Sequence, residues 1–95
     1  MELEIRLTDR SKADIEDIAE YLALHWSQKT KMEFLLSLHE RITLIGRMPY
    51  LYRCTQTGKD IRESVLNKHT IIYYKIVNEK FISILTIRNT SRDHA

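Results

Sequence analysis

The chain has 95 residues, 43% of them apolar and 29% charged, with a formal net charge of +2. Such a length supports one domain, read as 1–95, and the composition excludes a disordered or low-complexity chain. A single cysteine, Cys54, excludes an internal disulfide, and no run approaches membrane-spanning length.

The start, MELEIRLTDR, lacks the apolar core of a signal peptide. Together with the lone cysteine this predicts a cytoplasmic chain with no membrane partner. The charge is uneven: residues 1–58 carry eight Lys/Arg and nine Asp/Glu, residues 59–95 seven and four. A basic C-terminal third is compatible with a nucleic-acid or acidic protein partner, although surface lysines on a strand layer ordinarily just solubilise.

In chain order, ELEIRLT (2–8) alternates, with Leu3, Ile5 and Leu7 on one side and Glu2, Glu4 and Arg6 on the other. This is the pattern of a half-buried edge strand. Ser11 then suits an N-cap, and Asp14, Glu16 and Asp17 crowd the first turns, where the helix dipole favours them. Ile15, Ile18, Ala19, Leu22 and Trp26 recur at helical spacing and predict one buried face. Ser27 caps a second helix with the stripe Leu35, Leu38, Ile42 and Ile45, and Phe34 beside it. Gly46 suits its end and Pro49 forbids resumption. So short a connection predicts an antiparallel helical hairpin.

A loop with Tyr50, Tyr52, Arg53, Cys54 and Gly58 follows, then three strands over 60–66, 69–77 and 80–88, with turns at Asn67-Lys68 and Asn78-Glu79. The fold class is α+β: β-α-α-β-β-β, a helical hairpin packed on one face of an antiparallel sheet.

If both turns have two residues, Arg62 lies opposite Tyr73, Tyr73 opposite Ile84, and His69 opposite Arg88. Ile61, Val65, Ile72, Tyr74, Ile76, Phe81, Leu85 and Ile87 then share the helix-covered face. Arg62, Ser64, Leu66, His69, Ile71, Tyr73, Lys75, Ile82, Ile84, Thr86 and Arg88 share the open one. On this reading Arg62, His69, Tyr73, Arg88, Arg92 and His94 converge on one patch. Arginine offers a planar fork of donors for phosphate, and histidine exchanges protons near neutral pH. Ile71, Ile82 and Ile84 form an exposed apolar strip between cations, suited to an acidic amphipathic segment that folds on binding.

The pattern DIEDIAEYLALHW, a second helix ending before Met48-Pro49, a glycine-bearing loop and then DIRESVLNKHTIIYYKIVNEKFISILTI resembles the RelE/ParE superfamily of bacterial type II toxin–antitoxin toxins. Members are often labelled plasmid stabilisation proteins. The resemblance covers nearly the whole chain. It implies a growth-arresting toxin neutralised by a cognate antitoxin, acting either as a ParE-like poison of DNA gyrase or as a RelE-like mRNA interferase on the ribosome. It leaves a homodimer open.

For the ribonuclease, the resemblance implies Arg62 and Arg88 as the charge-stabilising pair and His94, or alternatively His69, as the proton-transfer group. Lys59, Arg62, His69, Tyr73, Lys75, Arg88 and Arg92 are the expected target-binding set. The tail Asn89-Thr90-Ser91-Arg92-Asp93-His94 resembles the ParE-like ending more closely, and the gyrase reading is preferred. No cofactor is expected. The four histidines lack ligand-like spacing, so no metal site is expected, and two glycines make no phosphate-binding loop.

Overall fold

The structure, a computed structural model, describes residues 2–56 and 58–90. The elements run β1 (Glu4–Leu7), α1 (Asp9–His25), α2 (Gln28–Arg47), β2 (Ile61–Asn67), β3 (Thr70–Val77) and β4 (Phe81–Asn89). This is the expected order. The sheet, however, is mixed: its strand order is β1-β4-β3-β2, with β1 parallel to β4 and the other pairs antiparallel. The helical hairpin carries the chain from the end of β1 across one face, and β4 then runs up alongside β1 in the same direction. Among the described residues no helix is long and apolar enough to cross a membrane.

Thr8, rather than Ser11, caps α1. Its hydroxyl oxygen accepts the Ser11 N–H at 3.0 Å, while the Ser11 hydroxyl donates back to the Thr8 carbonyl. The helix starts three residues earlier than a Ser11 cap would place it, and Thr8 also anchors β4, its hydroxyl donating to the carbonyls of Ile84 and Leu85 at 2.9 Å. Ser27 caps α2 as expected, accepting the Thr30 N–H. Gly46 lies inside α2, where the Leu3 N–H donates to its carbonyl at 2.8 Å. A Cβ there would stand 3.2 Å from the Leu3 carbonyl oxygen, so this close approach is what calls for glycine.

The core lies between the hairpin and one sheet face. Ile18, Phe34, Leu38 and Ile45 from the helices meet Ile72, Tyr74, Ile82, Ile84 and Ile87 from the strands. Trp26, expected in this core, is 71% exposed. The helix ends one residue before it, and Trp26 takes φ −125°, ψ −86°, so its helical phase no longer applies.

The strand registers differ from the expected ones. Asn67 pairs with Thr70, leaving Lys68 and His69 in the first turn; Val77 pairs with Phe81, so the second turn holds three residues. Asn78 and Glu79 in that turn adopt φ of 52° and 57°. Each hairpin also contains an irregularity, at Val65/Asn67 and at Tyr73/Tyr74 opposite Leu85. A one-residue change of register turns a strand over. Ile82 and Ile84, expected on the open face, are therefore fully buried, and Ser64 with them. Ile61, Val65 and Phe81, expected inward, pair with the open-face positions Lys75, Ile71 and Val77.

Candidate functional site on the open sheet face

Among the described residues no helix covers the second face of the sheet. Along β3 it presents Ile71, Tyr73 and Lys75, which alternate with the buried Ile72 and Tyr74. Directly across, Ile71 faces Val65 and Arg88, Tyr73 faces Glu63 and Thr86, and Lys75 faces Ile61 and Ser83. The parallel pairing of β1 adds Arg6 beside Ser83. Arg6, Ser83 and Lys75 thus form one row across three strands, spanning roughly 10 Å at the normal strand spacing.

The charges on this face differ in how far they are already matched. Arg6 is bound to Glu4 at 2.6 Å and lies 3.9 Å from the centre of the Phe81 ring. Glu63 is held by Arg53 at 3.2 Å. Lys75 and Arg88 are exposed and have no ion-pair partner among the described residues. Among the described residues the face is therefore an apolar ground of Ile61, Val65, Ile71 and Phe81 bearing the cations Lys75 and Arg88, neither of them in an ion pair, a composition suited to binding an acidic, partly apolar partner.

Arg62 stands apart from this surface. It pairs with Tyr74, which pairs with Ile84, so it shares the helix-covered side. Its Nη1 donates to the Tyr52 carbonyl at 2.5 Å, and its guanidinium lies 5.1 Å from the Tyr50 ring centre. It lines a small pocket of about 210 Å³ with Cys54, Asp60 and Glu79. Arg88 is two strands away, three residues further along β3, and on the opposite face. The register puts their Cα positions roughly 14 Å apart. The expected Arg62–Arg88 pair is thus not assembled around one point, because the change of register turned β2 over.

Among the other expected residues, His69 is exposed in the β2–β3 turn, where its carbonyl accepts the Thr90 N–H at 2.7 Å, and it lies opposite no strand residue. Lys59 is exposed in the loop before β2. Tyr73, Lys75 and Arg88 share the open face as expected. Arg92 and His94 lie outside the described residues. Sequence reasoning passed over Arg6: the alternation of ELEIRLT put it on a polar side, but only the pairing of β1 with β4 puts that side next to Lys75. It also passed over Arg41, whose Nη1 donates to the Ser64 hydroxyl and the Val65 carbonyl, both at 2.8 Å, tying α2 to the edge strand.

The edges of the sheet complete the picture. Residues 53–55 cover the start of β2: Cys54 bridges to Arg62, the Thr55 N–H donates to the Ile61 carbonyl, and the Glu63 N–H donates to the Arg53 carbonyl. With Arg41 on Val65, this blunts one edge against strand pairing.

Residues 5–94 match the model of the ParE toxin of type II toxin–antitoxin systems. The chain belongs to the ParE toxin family. Among solved structures, the ParE toxin fold here is similar to a chain of the chromosomal ParDE system of P. aeruginosa, at TM-score 0.78 and 15% identity over 92% of this chain and 95% of that one. It is also similar to a chain of the RelBE2 toxin–antitoxin complex of Mycobacterium tuberculosis, at TM-score 0.64 and 12% identity over 94% and 99%. A third likeness is to a chain of the DinJ–YafQ complex of E. coli, at TM-score 0.54 and 16% identity over 97% of both chains. No curated protein matches the chain. These likenesses establish the RelE/ParE fold, and the family model identifies a ParE toxin within it.

Proposed function

We propose that this ParE toxin arrests growth by acting on DNA gyrase and is held inactive by a cognate antitoxin laid over the open sheet face. One observation carries the choice against a ribonuclease: Arg62 and Arg88 occupy opposite faces of the sheet. Phosphoryl chemistry on RNA needs donors for the developing charge and a proton-transfer group converging on one phosphate. A target-binding poison needs only a complementary surface, and Tyr73, Lys75 and Arg88 supply one.

The antitoxin is an acidic amphipathic segment. Its apolar residues rest on Ile71, Val65 and Ile61, and its carboxylates meet Lys75 and Arg88. The similar solved structures of toxin–antitoxin complexes support such a partner.

The test is induced expression in a bacterial host, with gyrase-dependent DNA breaks and A-site mRNA cuts scored in the same cultures. Breaks without mRNA cuts are expected. Codon-phased mRNA cuts without DNA damage would overturn the gyrase reading and make the chain an interferase. For the antitoxin, Ile71→Asp is expected to abolish co-purification with the product of the adjacent small reading frame while the variant stays folded. Undiminished co-purification would move the antitoxin off this face.

A further inference from the structure

A second concave site lies at the other end of the molecule's helical side. A cleft of about 570 Å³ opens between the turn of the helical hairpin and the β2–β3 turn. Its size falls within the range of roughly 300–1,000 Å³ that small-ligand sites occupy. None of its lining residues belongs to the open-face set apart from His69 at its margin.

The lining has a definite chemistry. Three aromatic side chains, Tyr21, Trp26 and Phe34, line it with a single aliphatic one, Leu22. Thr30, Ser37, Asn67, Thr70 and Asn89 place short hydroxyl and amide groups between them, of which Asn89 Nδ2 donates to the Thr70 hydroxyl and Asn67 Oδ1 accepts the His69 N–H. Phe34 and Thr70 are buried and form the floor, while Trp26, 71% exposed, stands at the rim. A groove for an amphipathic helix is hydrophobic along its length. Rings interleaved with amides and hydroxyls instead suit a flat heteroaromatic base, which stacks on one face and hydrogen-bonds at its edge.

The charge is consistent with this. Lys68 and His69 sit on the β2–β3 turn side, opposed by one carboxylate, Glu33. Lys29 and Lys31 flank the lining residue Thr30 in sequence, and the first turn of α2 carries no acidic residue. A phosphate entering from the turn side meets lysine, whose compact charge is a common phosphate partner.

We propose that this cleft binds one purine 5′-nucleotide unit, free or within a single strand, with its base against Trp26 and its phosphate against Lys68. The site is independent of the gyrase reading, since it shares no surface with Lys75 or Arg88 and needs no particular toxin target.

Trp26 is the one tryptophan of the chain, so its emission reports this cleft alone. The full chain is titrated with AMP, with adenine DNA and RNA single strands of about five nucleotides, with inorganic phosphate and with a polyglutamate peptide. Saturable quenching by AMP and by the strands is expected, with phosphate and polyglutamate silent. Strands binding more tightly than AMP identify a single strand as the source; equal affinity identifies the free nucleotide. Lys68→Ala is expected to weaken binding roughly five-fold. Trp26→Ala, followed by the anisotropy of a labelled strand, is expected to weaken it roughly ten-fold. Both side chains are exposed, so circular dichroism should show both variants folded. Absence of quenching by any nucleotide up to about 10 mM overturns the proposal. So does quenching by phosphate alone, or tighter binding of polyglutamate than of any nucleotide.

Discussion

Asp14 on α1 accepts the N–H of Ile87 on β4 at 3.0 Å, and the same carboxylate oxygen accepts the Thr86 hydroxyl at 2.5 Å. These bonds sit on one flank of the irregularity at Leu85. On the other flank Thr8 donates to the carbonyls of Ile84 and Leu85. A bulge leaves backbone groups without ladder partners, and the first turns of α1 supply them from both sides. This clamp is why Ile84 and Ile87, three residues apart, both reach the core.

Asp14→Ala is accordingly expected to cost about 1–3 kcal/mol, read as a lower urea midpoint with unchanged slope. The pH dependence follows from the same bonds. Burial pushes the carboxyl up, but Thr86, Ile87 and Arg10 together hold it below the ordinary value of 3.8. A folded value below the unfolded one contributes stability that is present above about pH 4 and is lost as pH falls through the folded value. Asp14→Asn, which carries no such proton, should show a shallower loss of midpoint over that acid range. Parallel acid profiles for the two proteins would remove Asp14 from the clamp.

The faces of β2 and β4 are tested by truncating one residue on each side. Ile84→Ala should destabilise by about 2–5 kcal/mol, because it opens a cavity at a fully buried position. Val65→Ala, 56% exposed on the open face, should stay within about 0.5 kcal/mol. Denaturation midpoints that reverse this order would restore the two-residue-turn register.

Gly46→Ala brings two effects into opposition. Alanine improves an exposed helix interior by about 1 kcal/mol. Here, though, the new Cβ meets the Leu3 carbonyl at 3.2 Å, and Leu3 cannot retreat without losing its own hydrogen bond to Gly46. A net loss of about 1 kcal/mol is expected. A stabilised variant in thermal melts would mean that β1 shifts freely on α2.

Tyr74 is fully buried, and its hydroxyl donates to the Pro49 carbonyl at 2.8 Å. Tyr74→Phe strands that carbonyl and should cost about 1–2 kcal/mol. Burial pushes the Tyr74 hydroxyl up from 10.0 to about 12, against a smaller lowering by Arg62. The folded value is the higher one, so its contribution is present below pH 10 and is lost as pH rises towards 12. The phenylalanine variant should therefore lose less stability than the wild type across that alkaline range. If both fall equally, Tyr74 is not held neutral by the fold.

Arg62 and Arg88 should separate cleanly in two assays. Arg62→Ala breaks the bond to the Tyr52 carbonyl and loosens the loop over β2, with an expected cost of about 1–2 kcal/mol. Arg88→Ala, exposed and unpaired among the described residues, should leave the melting temperature unchanged and reduce growth arrest. A stable, fully toxic Arg88→Ala would take that residue out of the target surface.

Hydrophobic periodicity was enough to determine the element order, the helical hairpin, the Ser27 cap and most of the core, because helix and strand periods are local properties of the chain. The open-face trio Ile71, Tyr73 and Lys75 on β3 was legible for the same reason: only one of the strand's faces is continuously apolar. β4 was not legible. Phe81, Leu85 and Ile87 on one parity and Ile82 and Ile84 on the other are all apolar, so alternation cannot say which side is buried. A third turn residue and an irregularity at Leu85 decide that side, and the irregularity is held by Asp14 and by Thr8, which lies 77 positions from Leu85 in the chain. The register of the β2–β3 hairpin parts Arg62 from Arg88, the parallel pairing of β1 with β4 brings Arg6 into the row of Lys75, and the end of α1 at His25 leaves Trp26 exposed at the rim of a cleft. Register is a tertiary property wherever both faces of a strand can be buried.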